Sequence, residues 1–350
     1  MKIWLRPKLL KYFLFFSVVI LFLLATNSFF EREKALADLS QNVINFSEIT
    51  EKAIVGSVEK IDLVMTKMAE EVRENRTSFK NYSWDRLSRN LQYIGIAKLD
   101  LALTDAEGNV LLTTAYKEKK KVSIADRDYF QSLRRSGSEM VISKPLLSRT
   151  RNIWIILFAR RLEDAAGNFI GIVYANLDAK YFAGFAESLH LLPSDLLTLA
   201  SGKELRFVFR HPAHEQFVGQ LFRYSPFTAE VVAKRKKSAI AMLPSANDGR
   251  VRMMQATWID RYPILLIVGK EAEAALATWR THTIVTFSLA LLFILLSYGL
   301  LLAYEKENEQ SQTHIKVAAE ASKLAALGEM AGGIAHEINN PVAIIQTVTE

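Results

Sequence analysis

Charged residues vanish from this chain twice. Tyr12–Phe30 and Thr283–Tyr304 contain none. As helices these runs measure about 28 Å and about 33 Å, enough to cross the hydrocarbon core of a bilayer. Between them the pattern turns amphipathic. From Glu31 to about Asn75, the residues Ile44, Ile49, Ile54, Val58, Ile61, Val64, Met65 and Met68 form one apolar face at helical spacing. That predicts one long helix, with Gly56 as the place for a break. A shorter helix is expected around Trp84–Tyr93.

The period then shortens to that of strands. Leu99–Thr104 and Val110–Thr114 read as a hairpin around the turn Asp105–Asn109. A loop and short helix follow at Ser123–Arg134, then strands at Met140–Ile142, Ile153–Arg160 and Phe169–Asn176. The last two are joined by a turn at Glu163–Asn168, and Asp178–Leu189 reads as a helix. A weaker echo comes next. Strands are expected at Asp195–Ala200, Leu205–Arg210, Ile240–Leu243, Val251–Thr257 and Ile264–Lys270, with a helix at 226–236. The class is α+β: two sheet-plus-helix lobes in tandem on a long N-terminal helix.

After the second uncharged run the helical period returns. Leu324, Leu327, Ala331, Ile334, Ile338, Pro341, Ile345 and Val348 are spaced alternately by three and four, the seam of a helix that packs on partner helices. With Ala331 and Ile338 at successive a positions, His336 falls at f, furthest from the seam. Asn340 lies one turn further on the same face, and Glu337 is adjacent at g. Pro341 removes a hydrogen bond to the Glu337 carbonyl, so a bend is expected just after the histidine. Gly332 and Gly333 weaken a good helix, for which close packing in a bundle is one reason.

The formal net charge is +7 and there is no cysteine. Disulfides, thiol catalysis and cysteine metal sites are therefore excluded. No basic stripe interleaved with aromatics points to nucleic acid. Lys2, Arg6, Lys8 and Lys11 precede the first uncharged run. They place the N-terminus in the cytoplasm. A cleaved signal peptide is the alternative, but its apolar core is shorter and ends in small residues, whereas this run ends Asn27-Ser28-Phe29-Phe30. His211 and His214 are spaced i, i+3 with no third ligand evident, so no metal site is expected.

The string Lys323-Leu324-Ala325-Ala326-Leu327-Gly328-Glu329-Met330-Ala331-Gly332-Gly333-Ile334-Ala335-His336-Glu337-Ile338-Asn339-Asn340-Pro341 resembles the phosphoacceptor box of bacterial sensor histidine kinases. The resemblance implies a protein-histidine kinase that takes a phosphoryl group from ATP with Mg²⁺ onto His336 and passes it to a response regulator. It makes Glu337 the orienting base and Asn340 the residue that positions water for dephosphorylation. It also implies a homodimer built on the bundle of which this is the first helix. The rest of that bundle and the ATP-binding domain are expected on a longer protein. The rival expectation is a non-enzymatic membrane receptor, or a truncated kinase acting through a partner.

A second resemblance covers much of 95–190. Ala125-Asp126-Arg127-Asp128-Tyr129-Phe130, the run Ile155–Arg161, Gly167–Val173 and Asn176-Leu177-Asp178-Ala179-Lys180-Tyr181-Phe182 are similar to the double Cache sensor domain, with its PAS-like sheets. The resemblance implies that the distal lobe holds a small extracytoplasmic ligand against Arg127, Tyr129, Phe130 and Asp178. Arg127 suits an anionic group and Asp178 an amine. Tyr129 stands where the amino-acid-binding version has tryptophan. The alternative reading is that Asp126, Arg127 and Asp128 cap and brace a short helix. The expected order is a cytoplasmic N-terminus (1–11), a transmembrane helix (12–30) and a sensor domain (31–282) with lobes at about 95–190 and 191–270. A second span (283–304), a signalling helix (305–322) and the start of a phosphotransfer domain (323–350) complete it. The expected location is the plasma (inner) membrane.

Overall fold

A computed structural model describes residues 7–74, 82–116, 121–135, 140–202, 204–234 and 236–348, with side chains from residue 8 to 334. Two compact units form, one of residues 33–277, the other of 1–32 together with 278–350.

In the larger unit the helix α1 (Pro7–Arg73) supplies the spine. Ile54, Val58, Ile61, Met65, Met68 and Val72 are buried, at steps of four and three. Each such side chain contributes on the order of 1.5–3 kcal/mol by leaving water. Helix α1 is continuous through Gly56, so the expected break does not occur. Ile49 is exposed rather than part of the apolar face. The seam runs instead through Ser47 and Thr50, both without exposure, and Ser47 bonds the Thr257 hydroxyl at 3.1 Å.

Helix α2 (Trp84–Ile94) starts where the Ser83 hydroxyl accepts from the Arg86 amide, and ends at Gly95 in the left-handed region. The strands of the first lobe are β1 (Leu99–Thr104), β2 (Val110–Thr113), β3 (Val141–Ile142), β4 (Leu146–Leu147), β5 (Trp154–Glu163) and β6 (Phe169–Asp178). Helices α3 (Asp128–Arg135) and α4 (Tyr181–Ser188) accompany them. The second lobe holds β7 (Leu196–Ser201), β8 (Arg206–His211), α5 (His214–Phe217), α6 (Pro226–Ala233), β9 (Ser238–Pro244), β10 (Val251–Ile259) and β11 (Ile264–Glu271).

Both sheets are antiparallel and share one wiring. The first runs β2-β1-β6-β5-β3, with β4 also on β5; the second runs β8-β7-β11-β10-β9. In each, the second, first, last, penultimate and third strands lie side by side. The turns before β2 and β6 are built alike. Asp105 accepts from the amides of Glu107 and Asn109, and Asp164 accepts from those of Ala166 and Asn168.

The smaller unit contains both uncharged runs. Helix α7 (Ala272–Val348) is continuous from the end of β11 through the second run and on past Pro341. Helices α1 and α7 each contain a segment long and apolar enough to cross a membrane. Within this unit the Trp279 indole donates to the Ser28 carbonyl at 2.8 Å, and the Ser28 and Thr283 hydroxyls are 2.9 Å apart. The rings of Phe13 and Tyr298 lie 5.7 Å apart. Phe15, Phe22, Phe293 and Leu300 are exposed, an apolar surface that water solvates poorly.

Candidate functional site

Alternation along the strands gives the first sheet two different faces. One presents Leu101, Leu103, Ile156, Phe158, Val173 and Leu177 to the core shared with α1. The other carries Asp100 and Ala102 of β1, Leu157 and Ala159 of β5, and Ile172, Tyr174, Asn176 and Asp178 of β6. The register aligns Asp100 with Asn176 and Leu157 in one row, and Ala102 with Tyr174 and Ala159 in the next. Two alanines thus leave room around the Tyr174 ring. Helix α3 lies over this face and contributes Tyr129, Phe130 and Leu133.

The face is apolar at one end and polar at the other. Phe130 has no exposed area and meets Phe169 edge-on at 5.8 Å. Tyr129 and Tyr174 are buried at 4% and 6% exposure. Burial pushes both phenols far up, against the lowering charges of Arg127 and Arg149 on Tyr129; Tyr129, Tyr116 and Asp100 raise Tyr174 further. Both phenols therefore stay protonated. Asp100 is buried and ion-paired to Arg151. Burial raises its pKa, Arg151 opposes, and nearby Asp178 adds to the rise.

The residues expected to bind ligand are distributed along this face. Arg127 is half-buried; its Nη2 donates to the Leu147 carbonyl at 3.4 Å, while its Nε is buried without a hydrogen-bond partner. Its neighbours brace the loop. Arg149 forks onto Asp126 at 2.9 and 2.5 Å and bonds the Ser123 carbonyl at 2.6 Å. That fork holds the Asp126 carboxyl below its usual range. Asp128 opens α3 and accepts from the Tyr129 amide at 2.9 Å. Asp178 sits at the end of β6, opposite Ile155, and accepts from the Lys180 amide at 2.9 Å. The structure therefore brings Tyr129 and Arg127 over one end of the face and Asp178 to its edge, with Phe130 in the core between α3 and β6.

Three groups here went unassigned from sequence: Tyr174, Asn176 and the pair Asp100–Arg151. The Asn176 Oδ1 is buried without a partner. Polar residues at alternate positions of an apolar strand are the signal that marks Asp100 and Asn176. Arg151 gives no such signal. His211 and His214 take separate roles: His211 Nε2 meets the Leu192 carbonyl at 3.0 Å, and His214 packs on Phe209 at 5.0 Å. His336, Glu337 and Asn340 lie on α7, with side chains outside the described residues.

No protein-family model matches this sequence, and no curated protein matches it. Solved structures do. The extracellular domain of rpHK1S-Z16, named as a histidine kinase, superposes with a TM-score of 0.58 at 22% identity, over 70% of this chain and 99% of that one. The ligand-binding domain of the Pseudomonas fluorescens chemoreceptor CtaA, in complex with L-alanine, gives 0.50 at 14% identity, over 67% and 98%. The ligand-binding domain of Mlp24 with asparagine gives 0.50 at 13% identity, over 71% and 98%. The fold is that of extracellular ligand-binding sensor domains. At these identities the likeness is one of fold.

Proposed function

We propose that this chain is the sensing and phosphoacceptor part of a membrane-spanning sensor histidine kinase with a double Cache domain. The carrying observation is the coupling of two features on one helix. Helix α7 begins at the last strand of a sensor-type domain and continues, through the second apolar run, into the string Lys323–Pro341. In this reading residues 31–282 face the exterior, both ends of the chain are cytoplasmic, and the membrane is the plasma (inner) membrane. A second copy pairs along Leu324, Leu327 and Ile334, which are exposed in the single chain.

The chemistry proposed for α7 is phosphoryl transfer from ATP, with Mg²⁺, to a ring nitrogen of His336. Nucleotide and metal would be held by a domain outside these residues. The imidazole attacks in its neutral form, and Glu337 takes up or orients the proton on the other nitrogen. The phosphoryl group then passes to an aspartate of a response regulator, and Asn340 positions a water for its later removal. The ligand we assign to the first lobe is a small molecule with a carboxylate for Arg127 and an amine for Asp178. Asp178 suits that role because its carboxylate stands at the end of β6 with one oxygen on the Lys180 backbone amide. The bound amino acids of the CtaA and Mlp24 domains support this class.

The test uses the natural gene product in membranes, incubated with radiolabelled ATP. Labelling should be acid-labile and base-stable, and absent in His336→Gln. An amino-acid panel should raise the melting temperature of the sensor domain, and Arg127→Ala should remove that gain. A ligand at a hundred times its Kd stabilises by about 2.7 kcal/mol. Undiminished labelling of His336→Gln would refute the kinase assignment. A ligand response without any labelling would favour the receptor reading, which the chemoreceptor likeness also supports.

A further inference from the structure

The second sheet repeats the wiring of the first, and its face away from α1 also ends in buried charge. Thr198 of β7 stands opposite Arg210 of β8 on that face, in register with Ile267 of β11. A cavity of about 60 Å³ opens there beneath α6, lined among others by Thr198, Arg210, Arg223, Thr228, Asn247 and Ile267. That volume exceeds what one water needs and suits a molecule of a few non-hydrogen atoms.

The charges beside this cavity do not balance. Arg252 has no exposed area and is fully engaged: its two terminal nitrogens meet the Asp248 carboxylate at 2.7 and 3.0 Å, and its Nε meets the Ser194 carbonyl at 2.7 Å. Arg210 is 3% exposed and must share that same carboxylate. Its Nη2 reaches Asp248 Oδ2 only at 3.4 Å, its Nη1 reaches the Thr198 hydroxyl at 3.4 Å, and its Nε is buried with no hydrogen-bond partner. Neighbouring acids are taken, Asp195 by Lys270 and Glu271 by Arg250. Among the described residues, two buried guanidiniums share one carboxylate, and beyond it Arg210 has the Phe217 ring at 4.9 Å, which offsets its charge only in part, a costly state in a poorly solvated site. Burial is the largest cause depressing the Arg210 pKa, with Arg252 reinforcing it and Asp248 opposing.

We propose that the second lobe carries its own ligand site, a pocket for a short-chain monocarboxylate held by Arg210. The Nε edge of a guanidinium presents two parallel N–H donors, the geometry that fits a carboxylate fork. The Thr198 hydroxyl stands beside it, while that of Thr228 is engaged with Ser225 in the cap of α6, and Leu196, Phe222, Met254 and Ile267 give the cavity an apolar wall for a short alkyl tail. One leftover charge matches one carboxylate. The exposed Arg223 lies at the rim and draws anions in.

The test is thermal unfolding of the full chain in detergent, with sodium acetate as probe, sodium hexanoate as an overlong analogue, and constant ionic strength. Acetate should give a saturable rise in melting temperature of several degrees, and hexanoate little or none. Arg210→Met should abolish the acetate response, and Arg127→Ala, in the first lobe, should leave it intact. Should Arg210→Met not fold, Arg210→Lys decides: it keeps the charge, loses the fork, and should raise the half-effective acetate concentration at least tenfold. No response to acetate, an equal response to hexanoate, an undiminished response in the Arg210 variants, or its loss in Arg127→Ala would each overturn the proposal.

Discussion

Arg160 donates through Nη2 to Asp62 Oδ1 at 2.5 Å, tying β5 to α1 across the inner face of the first lobe. Both side chains keep 16% exposure, so solvent screens the pair only partly. Asp62 lies on α1, the helix that forms the spine of this unit. Removing one partner strands the other: Arg160 Nε already lacks a partner. Asp62→Ala should cost about 2–3 kcal/mol. In a domain of this size that lowers the melting temperature by roughly 5–10 °C. The double variant Asp62→Leu with Arg160→Met should recover more than half of the loss. A shift under about 2 °C for Asp62→Ala would show the tie to be dispensable.

The next residue in the chain does a different job on the opposite face. Arg161 bonds Glu163 at 2.7 Å, donates to the carbonyls of Leu133 and Arg134 at 2.9 and 3.0 Å, and lies 4.8 Å above the Phe169 ring. It thus satisfies the last turn of α3, the helix that carries Tyr129. Arg161→Met keeps the apolar stem and removes the donors. It should destabilise by about 1.5–3 kcal/mol and speed amide exchange in α3 more than in α4. Equal exchange in the two helices would mean that the packing of Tyr129 and Phe130, not Arg161, holds α3.

The expected strand stops at Arg160, whereas β5 runs on to Glu163 and sends Arg160 and Arg161 to opposite faces; their partners, Asp62 and the end of α3, are set by tertiary packing. The same division recurs elsewhere. The α1 stripe from Ile54 to Met68 could be read directly, but Ser47 and Thr50 hid its continuation, because a buried hydroxyl looks polar until its partner is seen. β4 and α5 span two and four residues, too short for any periodicity to show. In the first-lobe face, Arg127 and Tyr129 were marked by resemblance. Asp100 and Asn176 needed the register that sets them side by side. The reading of His336 rests on its string and heptad position.

Gly171 is a site where only glycine fits. Its φ is +148°, and a Cβ there would come within 2.0 Å of the Thr104 carbonyl oxygen, which is backbone and cannot swing away. Gly171→Ala should therefore push β6 off β1 and cost more than about 3 kcal/mol, with poor yield of folded protein. Gly167, whose added Cβ would meet nothing within 4 Å, provides the comparison. Its φ of +83° is strained for alanine, so Gly167→Ala should cost about 1–2 kcal/mol. Similar melting temperatures for the two variants would show that β6 accommodates the methyl group.

His214 should make the second lobe sensitive to mild acid. Its ring packs against Phe209 and its Nδ1 is buried without a hydrogen-bond partner. Burial is the largest cause holding its pKa below the ordinary 6.5; Lys180 acts in the same direction, while Glu215 and Asp178 oppose. The sign follows from proton counting. Between the depressed folded pKa and 6.5 the unfolded chain binds more protons than the folded one, so stability rises with pH across that interval. The neutral ring carries no penalty above about pH 7, and the penalty grows as the pH falls from about 6.5. The melting temperature should thus drop between pH 7.5 and pH 5.5, and His214→Phe, which keeps the contact with Phe209, should drop less. Asp100, whose pKa burial raises, acts in the opposite sense, but it is common to both proteins and cancels in the comparison. Parallel pH profiles for wild type and His214→Phe would assign the acid sensitivity to other groups.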